Sequence, residues 1–416
     1  MSRPVLLLGG AGGATAQSVL TAARSLGVPV HLATDRAGAG RRQDARARYA
    51  GVVVADLRRP EQAVGRLAEY CLRQGVGGVA ADREPLAPLA ASVADVLGLP
   101  GHPPGAAAVV RDRRRTAQIL LAHGVPGPRT LAVRFPGTAE TRRRAAGLAY
   151  PVVVRPAESP GASGAAVVRN ARELPEAVER VLERRGDPAR GTAPVPVALV
   201  QEYLEGTEYR VESVLRAGRF GHLAMLRATD EDGPVRRVAG YTLPSGLPDA
   251  TAFAILSVVE RGLTALGLRD GLAHTALKLT ADGPRLLTVG TAAPEAPVTE
   301  LIEHATGVST AGVYLQSVLG ERPEISPHGL RPAALRYITT ARHGVFHGLR
   351  GLLASPYAAA VRSYVDLGAG VGGGQEGPAG GVRTRLGHVI ATADGPDRAD
   401  ARADEALAGI TVQVGV

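Results

Sequence analysis

The chain has no tryptophan, four phenylalanines, one cysteine and, among 48 basic residues, a single lysine. Cys71 on its own cannot form an internal disulfide, which excludes the disulfide-stapled secreted scaffolds and fits a reducing cytoplasm. With aromatics at 3% of the chain, few rings are available to stack on bases. A net charge of +9 therefore does not by itself indicate a nucleic-acid binder. The densest basic runs, RDRRR at 111–115 and RRR at 142–144, read as solvated helix faces ahead of polyanion contacts. No apolar run approaches the roughly 20 residues needed to span a membrane. The opening MSRPVLLLGGAGG interrupts its apolar run with glycines too early for a signal peptide. What is present is 45% hydrophobic residues with 53 glycines and 30 prolines. Together with the abundance of alanine and arginine, this is the mark of a GC-rich genome that has exchanged lysine for arginine. Such a bias explains missing lysines. It does not explain missing glutamates, which stay plentiful along the chain.

At 416 residues the chain is longer than one core, so about two to four packed subdomains are expected. VLLLGG, a helical stretch through Ser25 and then VPVHLATD spell strand, glycine turn, helix, strand, the start of a parallel α/β sheet. Runs at 52–57 and 75–82 continue it, and the turn-rich GLPGHPPG at 98–105 closes a first unit at about residue 105. Residues 106–123 read as helix. YPVVVRP at 150–156 reads as a buried strand, ESPGASGAA as a small-residue loop and ARELPEAVERVLERRG as an amphipathic helix. PVALVQEYLEGTEYRVESVLRAGRF alternates like two strands about the turn LEGTE. A helix at 250–266 precedes two further strands in HTALKLTADGPRLLTVGTAA (274–293), and another helix runs through 301–307. From Arg331 the chain reads as a separate lobe of short strands with a glycine-rich loop at 368–381.

Five segments in this order resemble the ATP-grasp superfamily, and within it the carboxylate–amine ligases similar to L-amino-acid ligases and biotin carboxylase. The resemblance implies an α/β and α+β fold. Its parts are a Rossmann-like pre-ATP-grasp domain (1–105), an ATP-grasp module (106–325) with a small lid (about 129–206), and a C-terminal lobe (326–416). It implies ATP as cofactor, a small carboxylate such as an amino acid as ligand, and an acyl phosphate attacked by an amine. RDRRRTAQILLAHGVPGPRT matches a segment whose lysine position here is Arg113. PVVVRPAESPGASG matches a strand with a Lys-Pro pair and a loop over the phosphates; the lysine position is Arg155, and the loop supplies Ser163 and Gly164. Glycine there frees backbone N–H groups to approach phosphate oxygens, and arginine can meet phosphate bidentately. VQEYLEGTE matches the adenine hinge. Gln201, Glu202, Tyr203 and Leu204 would line the adenine edge, and Glu208, with two acceptor oxygens, would take the ribose diol.

The reactive end departs from the family. Where its two closing strands read H-x-E and, after a Gly-Pro turn, E-x-N-x-R, this chain has Ala276, Thr288, Gly290 and Ala292. Mg²⁺ takes oxygen ligands and prefers charged ones, so magnesium is doubtful and no metal ligand is assigned. Alternation places His274, Ala276 and Lys278 on one face and Thr275, Leu277 and Leu279 on the other. Thr288, Gly290 and Ala292 likewise stand opposite Leu287 and Val289. Lys278 is a candidate anion ligand, nucleophile or base, against a plain lysine at the sheet rim. His274 would orient a substrate or serve as a structural histidine. Glu212 and Glu295 are the nearby acidic residues able to substitute for lost ligands. Two readings follow: a weakly active or non-catalytic homologue, acting as a homodimer or beside an active paralogue, or an active ligase with atypical phosphate handling. GGAGGAT at 9–15 with Asp35 also invites a dinucleotide reading, but the pattern is imperfect and the family carries a similar turn.

Overall fold

A computed structural model of the chain describes residues 2–10, 12–35, 48–158, 164–183, 197–231, 237–323, 325, 329–351, 356–372 and 383–415. The first sheet holds β1 (Val5–Leu8), β2 (Val30–Thr34), β3 (Gly51–Val54) and β4 (Gly78–Ala81), in the order β3-β2-β1-β4. All its pairings are parallel. Strands β1, β2 and β4 are buried along their whole length, as parallel strands are when helices cover both faces. Leu6 and Leu8 point into one core, and Leu7 with Val5 into the other.

The stretch read as one helix over 106–123 is two, Pro104–Arg111 and Arg113–Ala122. Asp112 leaves helical geometry (φ −95°, ψ 100°), and its side chain accepts from the N–H groups of Arg114 and Arg115. That cap ends one helix, starts the next and places Arg113 in the first turn.

The lid is an antiparallel sheet of β5 (Thr130–Val133), β6 (Val152–Pro156), β7 (Ala166–Val168) and β8 (Ala198–Glu202), in the order β5-β8-β6-β7. Its own core gathers Val133, Val152, Val154 and Val200 under the helix Leu174–Leu182, which contributes Leu174 and Val178. The two strands expected about LEGTE belong to different sheets, so that turn is the crossing from lid to body.

The body is one sheet of eight strands. It contains β9 (Thr207–Arg216), β10 (Arg219–Glu231), β11 (Arg237–Leu243), β12 (Gly271–Thr280) and β13 (Gly283–Gly290). The remaining strands of the chain are β14 (Ala333–Thr340), β15 (Gly344–Arg350), β16 (Ala358–Ser363), β17 (Gly370–Val371), β18 (Thr384–Thr392) and β19 (Thr411–Gly415). The order in the body is β13-β12-β9-β10-β11-β14-β18-β16. The stretch after Arg331 therefore extends the body sheet, and only β17-β15-β19 forms a separate small one. The seam is the β11–β14 pairing, where a side chain at Gly240 would stand 2.0 Å from the Leu335 carbonyl. Among the described residues no helix is long and apolar enough to cross a membrane.

Candidate functional site

Strands β9, β12 and β13 share a face toward the lid, and their registers set out the site in rows. Arg210 on β9 stands opposite Ala276 on β12, and Ala276 opposite Thr288 on β13. The next row is Glu212, His274 and Gly290. On the other side of the Arg210 row, Glu208 stands opposite Lys278. A bulge between Ala276 and Leu277 shifts the β13 register. The core face of β13 is therefore Leu286 and Val289, 1% and 8% exposed, instead of the expected Leu287 and Val289.

Arg210 is the centre of the first two rows. Its Nε donates to Glu212 Oε1 at 2.5 Å and its Nη1 to Glu295 Oε1 at 3.2 Å. Glu212, fully buried, also accepts from His274 Nδ1. The other ring nitrogen of His274, Nε2, lies 2.8 Å from the Ala292 carbonyl, which can only accept. Both nitrogens must therefore carry protons. The imidazolium is favoured accordingly: burial lowers the His274 pKa, but the Glu212 carboxylate outweighs it and the net shift is upward. Burial likewise opposes ionisation of Glu212, yet Arg210 and His274 hold its carboxyl down at about 2. Thus His274 is engaged on both sides, and Glu212 and Glu295 are committed to Arg210.

A second carboxylate reaches the face from the first domain. Glu84, just after β4, accepts from the N–H groups of Thr291 at 3.1 Å and Ala292 at 2.9 Å. A β-carbon at Gly290 would come within 2.5 Å of Glu84 Oε1. The family's asparagine position is thus occupied in space by Glu84. Neither Arg210 nor Glu84 was singled out from sequence. Arg210 was open to the alternation that places Glu208 and Glu212 on its face. Glu84 is 207 residues from Thr291, and no local pattern announces it.

The hinge is clamped by charge. Arg285 on β13 donates to the Gly127 carbonyl, at 2.7 Å from Nη2, and to Glu202 at 3.1 Å. Glu202 also accepts from the Arg129 N–H at 3.1 Å. Glu202 is therefore a strut between lid and body. Gln201 turns its Nε2 to Thr130 Oγ1 at 2.9 Å, inside the lid sheet, which leaves backbone groups to meet a ligand there. Lys278 Nζ donates to the Leu204 carbonyl at 3.0 Å and lies 5.9 Å from the centre of the Tyr203 ring.

Electrostatic coupling ties the lid to this face. Burial, then the neighbouring Asp230, push the Glu208 carboxyl up to about 7 against the pull of Lys278 and Arg155. Burial lowers Arg155, on β6, to about 10, with Glu208 opposing. Arg113 is lowered well below the ordinary range by burial and by the guanidinium charges of Arg155 and Arg111. Two half-buried arginines of like charge, one lowered by the other, make a natural place for an anion. Gly164 takes a left-handed φ of 73°, open to glycine at no steric cost. Ser163 lies outside the described residues. Five of the six remaining arginines of the two basic runs are neutralised locally: Arg111 pairs with Glu158, Arg114 and Arg115 with Asp112, and Arg143 and Arg144 with Glu140.

The donor set fits an adenine nucleotide and does not fit Mg²⁺. Arg155, Arg113 and Lys278 supply positive charge, and Glu208 supplies paired acceptors beside the hinge. For a metal, the described residues contain no group of three or more His, Cys, Asp or Glu with suitable placement. A cation beside Ala276 would also face the Arg210 guanidinium. At ~4 Å and an effective dielectric near 20, each pair of like unit charges costs about 4 kcal/mol.

Comparison with known proteins accords with this architecture. The ATP-grasp domain family matches residues 148–295. Carnosine synthase 1 of Gallus gallus is 31% identical over 307 residues, 68% of this chain and 32% of that protein, so the chain spans about a third of its length. The uncharacterized protein y4rH of Sinorhizobium fredii is 26% identical over 340 residues, 80% of this chain and 68% of that one. The fold is shared with L-amino acid ligase from Bacillus licheniformis, at a TM-score of 0.81 and 21% identity over 100% of this chain and 99% of that one. The chain belongs to the ATP-grasp superfamily and is similar to carboxylate–amine ligases within it.

Proposed function

We propose that this chain binds an adenine nucleotide between lid and body, and that it does not carry out the magnesium-dependent activation of a carboxylate that the ligase fold otherwise supports. The observation that carries this reading is the pair of rows Arg210–Ala276–Thr288 and Glu212–His274–Gly290. Phosphoryl transfer depends on metal ions that bridge the phosphates and neutralise developing charge. In these rows the ligand positions are apolar, hydroxyl or bare backbone, and Glu212, with Glu295 nearby, is tied to Arg210. On this reading the Leu204 backbone and Glu208 hold the nucleoside, Arg155 and Arg113 hold phosphate, and a small carboxylate such as an amino acid is the second ligand. The protein then works as a binding partner beside an active enzyme.

A second reading, an active ligase joining an amino acid to an amine with atypical phosphate handling, draws on Glu84 and Glu295. These carboxylates border the face from two other elements. Calorimetric titration with ATP, with and without Mg²⁺, followed by a phosphate-release screen over amino acids, separates the two. The binding role requires ATP affinity without substrate-triggered phosphate release. Magnesium-dependent binding with phosphate released on adding an amino acid establishes the ligase instead.

A further inference from the structure

The residue that spoils the metal site is itself a cation. Arg210 extends from β9 over the face where Ala276, Thr288 and Gly290 bring no carboxylate, and its charge is permanent at any working pH. Resting on the nucleotide-binding reading above, we propose that Arg210 is a built-in replacement for the divalent cation. The terminal phosphates of a nucleoside di- or triphosphate bind here without metal, against a guanidinium.

The two carboxylate partners of Arg210 differ in a way that suits this role. Glu212 is fully buried, accepts at 2.5 Å and is shared with His274, so it holds the guanidinium in place. Glu295 accepts at 3.2 Å from the other end of the fork, and its side chain is 54% exposed. It follows β13 and precedes the helix Ala296–Thr306, outside both strands. A carboxylate in that position is a placeholder for a phosphate: it keeps Nη1 paired when no ligand is there and can swing away when one arrives. Phosphate offers the guanidinium a bidentate partner of higher charge. The charge of Arg155 also lowers the pKa of Arg113, a repulsion that an incoming anion relieves. Mg²⁺ chelated to the phosphates would cancel the charge that Arg210 recognises, so metal should weaken binding rather than support it.

The test is titration of the full chain with ATP and with adenosine, in EDTA and again in excess Mg²⁺, for the natural sequence, Arg210→Met and Glu295→Gln. In EDTA, ATP is expected to bind about tenfold more tightly than adenosine, the worth of one charge-assisted hydrogen bond, and Mg²⁺ should reduce that margin. Arg210→Met should weaken ATP severalfold toward the adenosine affinity, the rest of the margin staying with Arg155 and Arg113, with adenosine unchanged. Glu295→Gln should tighten ATP severalfold and leave adenosine alone, a gain that a merely structural ion pair does not produce. Because Arg210→Met removes the partner of buried Glu212, it could fail to fold; Glu295→Gln then decides, and an ATP affinity unchanged in that variant overturns the proposal. Equal affinities in EDTA, or ATP binding that appears only with Mg²⁺, overturn the proposal and leave the nucleotide reading standing. Binding of neither compound in either buffer overturns both.

Discussion

Gly290 is kept small by a neighbour, because any β-carbon there meets Glu84. Gly290→Asn should therefore fail to restore magnesium binding and should lower stability by about 1–3 kcal/mol through overpacking, read as a drop in thermal midpoint. The same substitution in a Glu84→Ala background should recover part of that loss. Glu208 offers a pH signature. Its carboxyl stands at about 7 in the folded chain against an ordinary value of 4.5, so the folded state binds the extra proton and stability falls as pH rises from 4.5 through 7. Glu208→Gln should match the natural chain at pH 4.5 and exceed it at pH 8, by on the order of 2 kcal/mol in denaturant titrations at the two values. Nucleotide affinity of the natural chain should rise over the same interval as the carboxylate forms, and that slope should be flat in the variant. Lys278 holds the Leu204 carbonyl and faces Glu208. Lys278→Met should cost about 1–3 kcal/mol, and unchanged ATP affinity in the folded variant would assign Lys278 to the sheet alone.

Among the elements, the hinge is the informative one. Strands β8 and β9 follow each other through LEGTE yet lie in different sheets, and Glu202, Arg129, Arg285 and Gly127 bind the lid to the edge of the body. Arg285→Ala removes its bonds to both Gly127 and Glu202, so it should cost about 1–2 kcal/mol. Limited proteolysis should then cut the lid faster than the body. Strand identity was legible from alternation along β9 and β12: Glu208, Arg210 and Glu212 share one face of β9, and His274, Ala276 and Lys278 share the same face of the sheet on β12. Sheet membership was not. The same alternation fits a lid strand or a body strand, and the join of β11 to β14 depends on pairing partners far apart in the chain. The bulge that replaces Leu287 by Leu286 in the core is likewise a property of the β12–β13 pair, since one extra residue on either strand gives the same apolar count.

At the scale of the whole molecule, three parts of the fold meet at the face of β9, β12 and β13: the first domain through Glu84, the lid through Arg155, and the body through Glu208, Arg210 and Lys278. A nucleotide that bridges them should protect lid amides around 152–156 and the segment 290–293 from hydrogen exchange together, while β14 and β18 stay unchanged. Exchange protection confined to the lid would argue against a cleft shared with the first domain. By itself the sequence determined the superfamily, the order of its parts and the presence of Ala276, Thr288 and Gly290 where the resemblance places metal ligands, because these depend on local residue types and short-range alternation. Only the tertiary structure decided what stands in their place. The guanidinium of Arg210, the Glu84 carboxylate and the tail of the body sheet reach their positions through contacts between distant segments, and such contacts follow from packing that no local pattern records.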